Sequence, residues 1–366
     1  MEKKMHIAMS ISSLTKGGAE RVMVNLAEHF VSEGHQVTIV TQYRKENEYA
    51  ISPQIKRVIS DIEGEEISKS RILNFVRRFR KLRGIWKAEK PDMILSFIGK
   101  NNMMAVLTSR GLSIPVAVSV RGEPKEEYYN GILRFGAKVL FGFAEGVILQ
   151  TRRCFDFFPD RVKKNAVILH NPVSASFFRD RYEGVREKTV VAVGRVDNNK
   201  NHEMLIRAFA EISAEFPEYQ LIIYGEGPER ERLKKMVEQM GMAERISLPG
   251  SIDNVSEAIY KAEVFVLPSN TEGVPNTLIE AMLMGLCVIS TDCPCGGPAD
   301  LVNHGENGLL FPVGDTEALK EQLALVLSDA DLREHLGKNA TTIKDVFWPE
   351  KVYGEWETYF RKLCGK

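Results

Sequence analysis

Short apolar runs rich in β-branched residues alternate along the chain with longer segments that repeat apolar positions every three to four residues. The short runs are typical of strands, and the longer segments are typical of amphipathic helices. Because the strand candidates are apolar along almost their whole length, they predict parallel sheets covered by helices on both faces. The predicted strands are His6–Ser12, Gln36–Thr41, Asp92–Phe97, Val116–Val120, Gly146–Leu149, Ala166–Leu169, Thr189–Val193, Tyr219–Tyr224, Arg245–Leu248, Val264–Leu267 and Cys287–Ser290. The clearest helical patterns are Ala19–Ser32, Asn201–Phe216, Glu229–Met240 and Asn276–Met284.

The predicted strands fall into two series, separated by a strandless stretch between residues 171 and 188. This stretch opens with the turn-forming sequence His170-Asn171-Pro172. A chain of 366 residues is too long for one ordinary core and suits two domains. We therefore predict an α/β protein with two doubly wound, Rossmann-like domains, residues 1–172 and 173–348.

The charge of the chain is balanced overall but not along its length. The formal net charge is zero, which gives no indication of a nucleic-acid partner. Residues 1–172 hold 28 Lys and Arg against 18 Asp and Glu, whereas residues 173–366 hold 21 against 31. Two halves of opposite net charge are typical of two domains that face different partners or face each other.

Cysteine usage and hydropathy bear on the compartment. The five cysteines are scattered and form no CxxC pair, which fits a reducing environment better than a disulfide framework. The first residues lack the apolar stretch of a signal peptide, and no run of about 18 apolar residues occurs. We therefore expect a cytoplasmic protein.

A glycine pair follows the first predicted strand, in the sequence Thr15-Lys16-Gly17-Gly18-Ala19-Glu20-Arg21. Gly17 and Gly18 would let the backbone approach a phosphate, and the helix that follows offers amides and the positive end of its dipole. The same sequence would also serve as a tight turn with a helix cap. It matches neither the Walker loop nor GxGxxG, so an NAD-dependent dehydrogenase is poorly supported.

Two cations lie at a strand-to-helix turn in the second domain, Arg195 directly after Gly194, and Lys200 just before a predicted helix. At this position they can clamp a diphosphate and offset the charge that builds on it as a sugar leaves. Ordinary surface cations on a loop are the alternative. The next strand ends in Tyr224-Gly225-Glu226-Gly227-Pro228, where Gly225 either admits a nucleotide base or ribose or makes a turn.

The segment Glu272-Gly273-Val274-Pro275-Asn276-Thr277-Leu278-Ile279-Glu280 carries the most weight. Pro275 suits the first position of a helix, which would expose the amides of Asn276 to Leu278. A ligand with phosphates at these amides would have Glu272 on one flank and Glu280 on the other. Carboxylates accept paired hydrogen bonds from neighbouring hydroxyls, so one could hold a hexose and the other a ribose. Solvated glutamates, or a glycosidase pair, are the alternatives.

These motifs together resemble glycosyltransferase family 4. The resemblance rests on Gly17-Gly18-Ala19-Glu20, on Gly194-Arg195 with Lys200-Asn201, on the spacing from Glu272 to Glu280, and on Asn307–Asp315. It runs in order through nearly the whole chain, and the second half matches best. The chain is most similar in kind to bacterial enzymes that add hexose or N-acetylhexosamine units to lipid-linked or capsular glycans of the cell envelope.

The resemblance implies the GT-B fold, with two domains facing across a cleft and the final helix, residues 349–366, crossing back to the first domain. It implies a retaining hexosyltransferase that uses a UDP-sugar as co-substrate, without a metal ion, another cofactor or a protein nucleophile. The acceptor would be a saccharide or a polyprenyl-diphosphate-linked glycan.

The resemblance also implies roles for individual residues. Arg195 and Lys200 would neutralise the departing diphosphate, and the Gly17-Gly18 loop would contact it from the other domain. Glu272 would hold the hydroxyls of the donor hexose, and Glu280 would bind the ribose. The backbone of Gly273, Val274, Pro275, Asn276 and Thr277 would help to bind the donor.

One loop departs from the family pattern. Many members have a histidine after the strand that corresponds to Val116–Val120, whereas this chain has Arg121, followed by Glu123. A guanidinium cannot act as a base at neutral pH, but it can bind a phosphate or a sugar hydroxyl. Arg121 and Glu123 are therefore candidate substrate-binding residues.

The sequence offers no good metal site. Its Asp-x-Asp match, Asp329-Ala330-Asp331, lies between two late helical patterns, where Asp331 suits a helix start. None of the histidines pairs with another at ligand spacing.

Residues 71–90 form a basic amphipathic pattern, in which apolar side chains recur every three to four positions. Such a helix suits an anionic membrane surface or a lipid diphosphate, which would place the protein at the inner face of the cell membrane. A domain helix that buries its apolar face is the alternative.

Two further functions stay open from the sequence alone. A UDP-sugar 2-epimerase shares the architecture, but it needs a histidine beside the sugar ring, and none can be placed. A non-catalytic nucleotide-sugar-binding protein would have no use for a leaving-group clamp.

Overall fold

The computed structural model describes residues 3–365, apart from the side chain of Glu65, and divides into two compact units, residues 3–172 with 349–365, and residues 173–348. The strands are β1 His6–Ile11, β2 Gln36–Thr41, β3 Lys56–Ile59, β4 Met93–Phe97, β5 Val116–Ser119, β6 Gly146–Leu149, β7 Ala166–Ile168, β8 Glu187–Val193, β9 Gln220–Tyr224, β10 Ile246–Gly250, β11 Ala262–Leu267, β12 Cys287–Thr291 and β13 Leu309–Phe311. The α-helices are α1 Gly18–Ser32, α2 Arg71–Glu89, α3 Gly99–Ser109, α4 Pro124–Glu127, α5 Gly131–Leu140, α6 Asp160–Lys163, α7 His202–Ile212, α8 Arg230–Gln239, α9 Val255–Ile259, α10 Asn276–Leu283, α11 Gly297–Leu301, α12 Thr316–Ser328, α13 Ala330–Ala340, α14 Lys344–Phe347 and α15 Pro349–Leu363. Short 3₁₀ turns lie at Gly64–Glu66, Phe141–Phe143, Arg153–Phe157, Ala175–Phe177 and Thr341–Ile343.

Each unit is built on one parallel sheet. The first has the strand order β3-β2-β1-β4-β5-β6-β7, and the second has the order β10-β9-β8-β11-β12-β13. The order reverses between β1 and β4 in the first sheet, and between β8 and β11 in the second. In doubly wound sheets, ligands bind beyond the carboxyl ends of the strands at such reversal points. The prediction of two doubly wound parallel sheets is confirmed.

The pattern missed two strands, β3 and β13. Both are outer strands, at one end of each sheet. β3 reads Lys56-Arg57-Val58-Ile59 and has no fully buried residue, so its composition does not mark it as a strand. β13 is only three residues long. β3 was therefore missed because its apolar signal is weak, and β13 because it is too short to show a pattern.

The cores lie on the faces of the two sheets. In the first unit, buried side chains of β1, β2 and β4 pack with α1 and α15. Trp356 of α15 donates from its indole nitrogen to the carbonyl oxygen of His170, at 2.8 Å. Phe360 of α15 stacks on Phe30 of α1, with ring centroids 5.2 Å apart. These contacts attach the last helix of the chain to the first unit.

Candidate functional site

In the second unit, the loop after β8 lies against the loop after β11, and Asn199 holds the two together. The side-chain oxygen of Asn199 accepts hydrogen bonds from the backbone amide of Thr271 (3.1 Å) and from its hydroxyl (2.9 Å). The amide nitrogen of the same side chain donates to the carbonyl oxygen of Thr271 (3.0 Å). The backbone amide of Asn270 donates to the carbonyl oxygen of Asn199 (2.7 Å). Four hydrogen bonds thus fix the two loops that carry Lys200 and Glu272.

Lys200 and Glu272, both predicted site residues, form an ion pair at this junction. The Nζ atom of Lys200 lies 2.5 Å from Oε1 of Glu272, and their side chains are only 19% and 12% exposed. The low exposure strengthens the interaction relative to a surface pair, because water screens it less. It also rules out the alternative in which Glu272 is a solvated surface glutamate.

Arg195 is placed differently from Lys200. Its side chain is 73% exposed, and its Nε atom lies 2.5 Å from Oδ2 of Asp197. The other carboxylate oxygen of Asp197 accepts from the backbone amide of Lys200, at 3.0 Å. The carboxylate of Asp197 therefore orients both predicted cations, because it binds the side chain of Arg195 and the backbone amide of Lys200. No sequence signal pointed to Asp197 or Asn199, because polar loop residues are common and only the fold shows what they bind.

The helix that follows Glu272 begins at Asn276, where the predicted helical pattern starts, but Pro275 is not its first helical residue. Pro275 has an extended backbone and is the N-cap of α10, so the first helical residue is Asn276. The amide of Leu278 donates to the carbonyl oxygen of Pro275, at 3.1 Å. The prediction of exposed amides from Asn276 to Leu278 is therefore wrong for Leu278, whose amide is used within the first turn. Of the predicted donor-binding segment, Gly273 and Val274 precede the helix, Pro275 caps it, and Asn276 and Thr277 are its first two residues.

Glu280 lies on α10 and is 2% exposed. Glutamate is almost never so deeply buried unless its charge is compensated. The alternative of a solvated glutamate is therefore wrong for Glu280 as well. Both carboxylates of the motif are held inside the second unit, one before α10 and one within it.

Glycines permit close approach of the backbones around this site. A Cβ atom on Gly225 would overlap the carbonyl oxygen of Gly194 and lie 2.9 Å from its carbonyl carbon. Gly225 also has φ +152°, a conformation that side chains disfavour. The structure thus accounts for Gly225 without a ligand. Gly297 has the same relation to the backbone of Gly273.

His202 is the first residue of α7 and is enclosed by the second unit. Burial, with a smaller effect of the Lys200 charge, lowers the pKa of His202 to about 3. In the unfolded chain the ring becomes protonated as the pH falls below its ordinary pKa of 6.5, whereas in the folded protein it stays neutral until the pH approaches 3. Stability contributed by the neutral ring is present above pH 6.5 and is lost as pH falls towards 3.

We expect the His202→Phe variant to lose less stability on acidification than the unmodified protein. Between pH 6.5 and 5 the difference should approach about 2 kcal/mol, since each pH unit contributes about 1.4 kcal/mol. Urea unfolding at several pH values measures it. His335→Phe, at an exposed histidine, is the control and should follow the unmodified protein. Parallel stability curves for His202→Phe and the unmodified protein would contradict the assignment.

In the first unit, the glycine pair follows β1 as predicted. Gly17 is the N-cap of α1 and Gly18 is its first residue. The preceding loop is braced by Glu48, which accepts from the amide of Leu14 (3.2 Å) and pairs with Arg57 at 2.6 Å. A side chain on Gly17 would meet only the movable carboxylate end of Glu20, so the backbone itself does not demand glycine there.

Arg121 lies at the carboxyl end of β5, among the loops that follow neighbouring strands. Its guanidinium carbon is 4.7 Å from the ring centre of Phe97. Its Nη2 atom lies 2.5 Å from the side-chain oxygen of Asn171, which also accepts from Gln150 at 2.8 Å. Burial lowers the pKa of Arg121 to about 9, so the group stays cationic at neutral pH. Glu123, the other candidate here, accepts from the amide of Lys125 (3.2 Å) and is the N-cap of α4.

Glu127 holds the Arg121 loop in place, although no motif pointed to it. Its carboxylate accepts from the amides of Gly99 (2.7 Å), Arg121 (3.0 Å) and Gly122 (3.3 Å). It also accepts from the Tyr128 hydroxyl, at 3.0 Å. Burial raises the pKa of Glu127, while the amide hydrogen bonds oppose this rise. Glu127 follows another glutamate in a charged segment, so no local signal distinguishes it.

The Asp-x-Asp match has a structural role. Asp329, rather than the predicted Asp331, is the N-cap of α13 and accepts from the amide of Leu332, at 2.9 Å. Asp331 lies in the first turn of that helix. Among residues 3–64 and 66–365, no group of three or more His, Cys, Asp or Glu is arranged to hold a metal ion.

The basic segment 71–90 forms α2 and divides into two parts. Leu82 and Trp86 are buried, and the Trp86 indole donates to the Thr108 hydroxyl at 2.8 Å. Ile72 and Phe75, in the first turns, are exposed. The alternative of a domain helix that buries its apolar face therefore holds for the second half of α2. Binding of the exposed first turns to a membrane surface stays a prediction. None of the helices in residues 3–365 combines the length and the apolar content needed to span a bilayer.

Comparison with known proteins gives matches over both units. The family profile described as Glycosyltransferase Family 4 matches residues 16–177, and the one described as Glycosyl transferases group 1 matches residues 176–343. A Campylobacter jejuni relative is 30% identical over 361 residues, covering 96% of this chain and 97% of its own length. It is named GalNAc-alpha-(1->4)-GalNAc-alpha-(1->3)-diNAcBac-PP-undecaprenol alpha-1,4-N-acetyl-D-galactosaminyltransferase.

Solved structures match the whole chain. Sucrose-phosphate synthase from Thermosynechococcus elongatus aligns with a TM-score of 0.80 at 20% identity, over 99% of this chain and 100% of that one. HepE from Anabaena, in complex with UDP and glucose, aligns with a TM-score of 0.80 at 17% identity, over 97% and 98%. At these identities the likeness establishes a shared fold.

Proposed function

The chain belongs to glycosyltransferase family 4 and is a glycosyltransferase of the GT-B fold, and from this premise we propose its reaction. It moves a hexose or N-acetylhexosamine from a UDP-sugar to a glycan or lipid-linked saccharide, with retention of the anomeric configuration. It uses neither a metal ion nor another cofactor. It works in the cytoplasm, at the inner face of the cell membrane.

The ion pair of Lys200 and Glu272 is the observation that carries this proposal. An ammonium group and a carboxylate lie side by side, 2.5 Å apart, directly before α10. A donor whose diphosphate contacts Lys200 has its sugar within reach of Glu272, which accepts hydrogen bonds from the sugar hydroxyls. The backbone from Gly273 to Thr277 meets the donor at the positive end of the α10 dipole. Glu280 accepts from the ribose hydroxyls.

Positive charge on the protein replaces a metal ion in this proposal. As the bond from the sugar to the diphosphate breaks, negative charge grows on the leaving group. Lys200 stabilises that charge from a partly enclosed position, and Arg195 adds a second, more exposed cation. The family resemblance favours departure and attack on the same face of the sugar, without a protein nucleophile.

The first unit takes the acceptor side. The Gly17-Gly18 loop and Arg121 offer backbone amides and a cation for the donor diphosphate or for the acceptor. The acceptor of the C. jejuni relative is named as an undecaprenol-linked saccharide, which supports a lipid-linked acceptor here. Three cations of α2 line a cavity of about 590 Å³, together with Ile62 and Glu66. This cavity suits a lipid diphosphate, and its cations are Arg77, Arg80 and Lys81.

A panel of UDP-, GDP- and ADP-sugars tests the donor. We expect a UDP-hexose or UDP-N-acetylhexosamine to raise the melting temperature of the protein and to be slowly hydrolysed. GDP- and ADP-sugars should show neither effect. NMR of the released sugar early in hydrolysis should show the donor's own anomer. A GDP- or ADP-sugar preference, or the inverted anomer, would contradict the proposal.

Excess EDTA should leave the rate of donor turnover unchanged, because protein cations rather than a metal hold the diphosphate. The measurement is the same hydrolysis assay with and without chelator. Loss of activity in EDTA, followed by recovery with manganese, would show that the metal-free mechanism is wrong.

A further inference from the structure

Large apolar side chains are exposed on α5 and on the residues before it. Tyr129, Ile132 and Phe135 are 62%, 84% and 71% exposed, and Ala137 is the one buried residue of this ten-residue helix. Isolated exposed apolar residues are common on protein surfaces, whereas a group on one short helix marks a surface that binds something. No motif in the sequence marked this helix.

A second exposed apolar group lies on the first turns of α2. It consists of Ile72, Leu73 and Phe75, and Ile72 is 78% exposed. The same helix buries Leu82 and Trp86 further along, so its first turns extend the apolar stripe beyond the part that packs on the unit. Folding of the first unit thus leaves this end of the stripe uncovered.

Topology brings the two groups to the same edge of the first unit. Both α2 and α5 pack against α3. α2 ends shortly before β4 begins, and α5 ends shortly before β6 begins. A helix that leads into a parallel strand runs opposite to that strand, so its first turns lie towards the carboxyl edge of the sheet. The apolar first turns of α2 and α5 therefore flank the start of α3 at the edge that carries Arg121.

The two segments that carry these groups contain charges of one sign. Residues 67–88 and 128–144 contain ten Lys and Arg and no Asp or Glu. Arg134 and Lys138 lie on α5, and the Nζ atom of Lys100, on α3, is 5.8 Å from the ring centre of Tyr129. Some α2 cations already have partners, since Arg78 pairs with Asp61 at 2.6 Å. The α5 side has no such acidic neighbour within its own segment.

We propose that the first turns of α2 and α5, with Tyr129, form a surface that docks on an anionic phospholipid bilayer. Apolar side chains flanked by cations suit the boundary between headgroups and acyl chains, where apolar tips insert and cations meet lipid phosphates. Long basic side chains can reach the headgroups while their stems stay on apolar surface. The absence of acidic residues from both segments favours an anionic bilayer over another protein. This inference rests on the proposed function, because a lipid-linked acceptor is reached from the bilayer surface.

Vesicle co-sedimentation of the full-length protein, without sugar substrates, tests the surface. We expect binding to phosphatidylcholine vesicles that contain phosphatidylglycerol, and weaker binding to phosphatidylcholine alone. The double variant Ile132→Ser/Phe135→Ser should bind about tenfold or more weakly, since each side chain loses most of its apolar insertion. The matched control replaces two exposed apolar residues of the second unit, Val185→Ser with Leu325→Ser, and should bind as the unmodified protein does.

Three outcomes would overturn the proposal. They are no binding of the unmodified protein to anionic vesicles, equal binding of the Ile132/Phe135 variant, and a dimer in sedimentation velocity that this variant abolishes. The last outcome would identify the surface as an interface between two copies of the chain.

Thermal shifts with UDP-sugars, measured on the same proteins, separate this test from the proposed reaction. If the unmodified protein shows donor shifts but does not bind anionic vesicles, the docking surface alone is overturned. If it binds anionic vesicles but shows no donor shift, the donor assignment alone is overturned.

Discussion

Lys200→Ala is expected to lower kcat by about 10²–10³-fold, the effect of removing one preorganised group that stabilises charge on a leaving group. Stability should change far less. The variant breaks the ion pair with Glu272, but the loops stay joined by the hydrogen bonds of Asn199. Arg195→Ala should have a smaller effect, about tenfold, because that side chain is largely exposed and water screens its charge. Donor turnover and urea unfolding, measured together, check both expectations.

A matched control exists in the same unit. Lys188 pairs with Glu263 at 3.0 Å and lies near the start of β8, away from the carboxyl edge of the sheet. Lys188→Ala therefore removes a similar ion pair without touching the proposed donor site, and its kcat should stay near that of the unmodified enzyme. Near-normal turnover in both Lys200→Ala and Arg195→Ala would remove the diphosphate clamp from the mechanism.

Gly297→Ala is expected to reduce the free energy of unfolding by about 1–3 kcal/mol and to abolish most activity. The added Cβ would overlap the carbonyl oxygen of Gly273 and lie 2.6 Å from its carbonyl carbon and 3.1 Å from Cα of Val274. These are backbone atoms, so no side-chain rotation relieves the overlap. The segment from Glu272 to Pro275 must shift, and this movement displaces Glu272 from Lys200 and disturbs the start of α10.

The control for this substitution is Gly354→Ala. Gly354 lies within α15, and a Cβ atom there would meet no heavy atom within 4 Å beyond its chain neighbours and its own helix backbone. Alanine should therefore leave stability unchanged or raise it by about 0.5–1 kcal/mol. Urea unfolding and donor turnover of the two variants give the comparison. Full stability and activity in Gly297→Ala would contradict the close contact between the two loops.

Local pattern was enough to predict the sheets and to place the candidate motifs after their strands. Central strands such as β4 and β12 are apolar along their length because helices cover both faces, and this composition is visible in the sequence. The motifs at Gly17, Lys200 and Glu272 stand out because each follows such a strand. Within one sheet, parallel strands bring their carboxyl ends to the same edge, so the closeness of the Lys200 and Glu272 loops in the second unit follows from the pattern.

The arrangement of side chains within the candidate site could not be predicted from the local sequence pattern. Lys200 and Glu272 are 72 residues apart, and the conformation of two loops, fixed by Asn199, decides that they pair. The same long-range geometry leaves Arg195 exposed although it lies in the same loop. Glu127 carries no local signal, since a carboxylate that binds backbone amides is recognisable only when those amides are in place. The contact of Gly297 with the backbone of Gly273 is likewise visible only in the fold.

The sequence by itself thus determined the strands and the motifs at Gly17, Lys200 and Glu272 that follow them. Both can be recognised from the composition and spacing of a few neighbouring residues. The pairing of Lys200 with Glu272, the support from Asn199 and Glu127, and the exposed first turns of α2 and α5 were decided by the tertiary structure. They depend on which distant segments meet, and such contacts are set by packing and by loop conformation rather than by any short stretch of the chain.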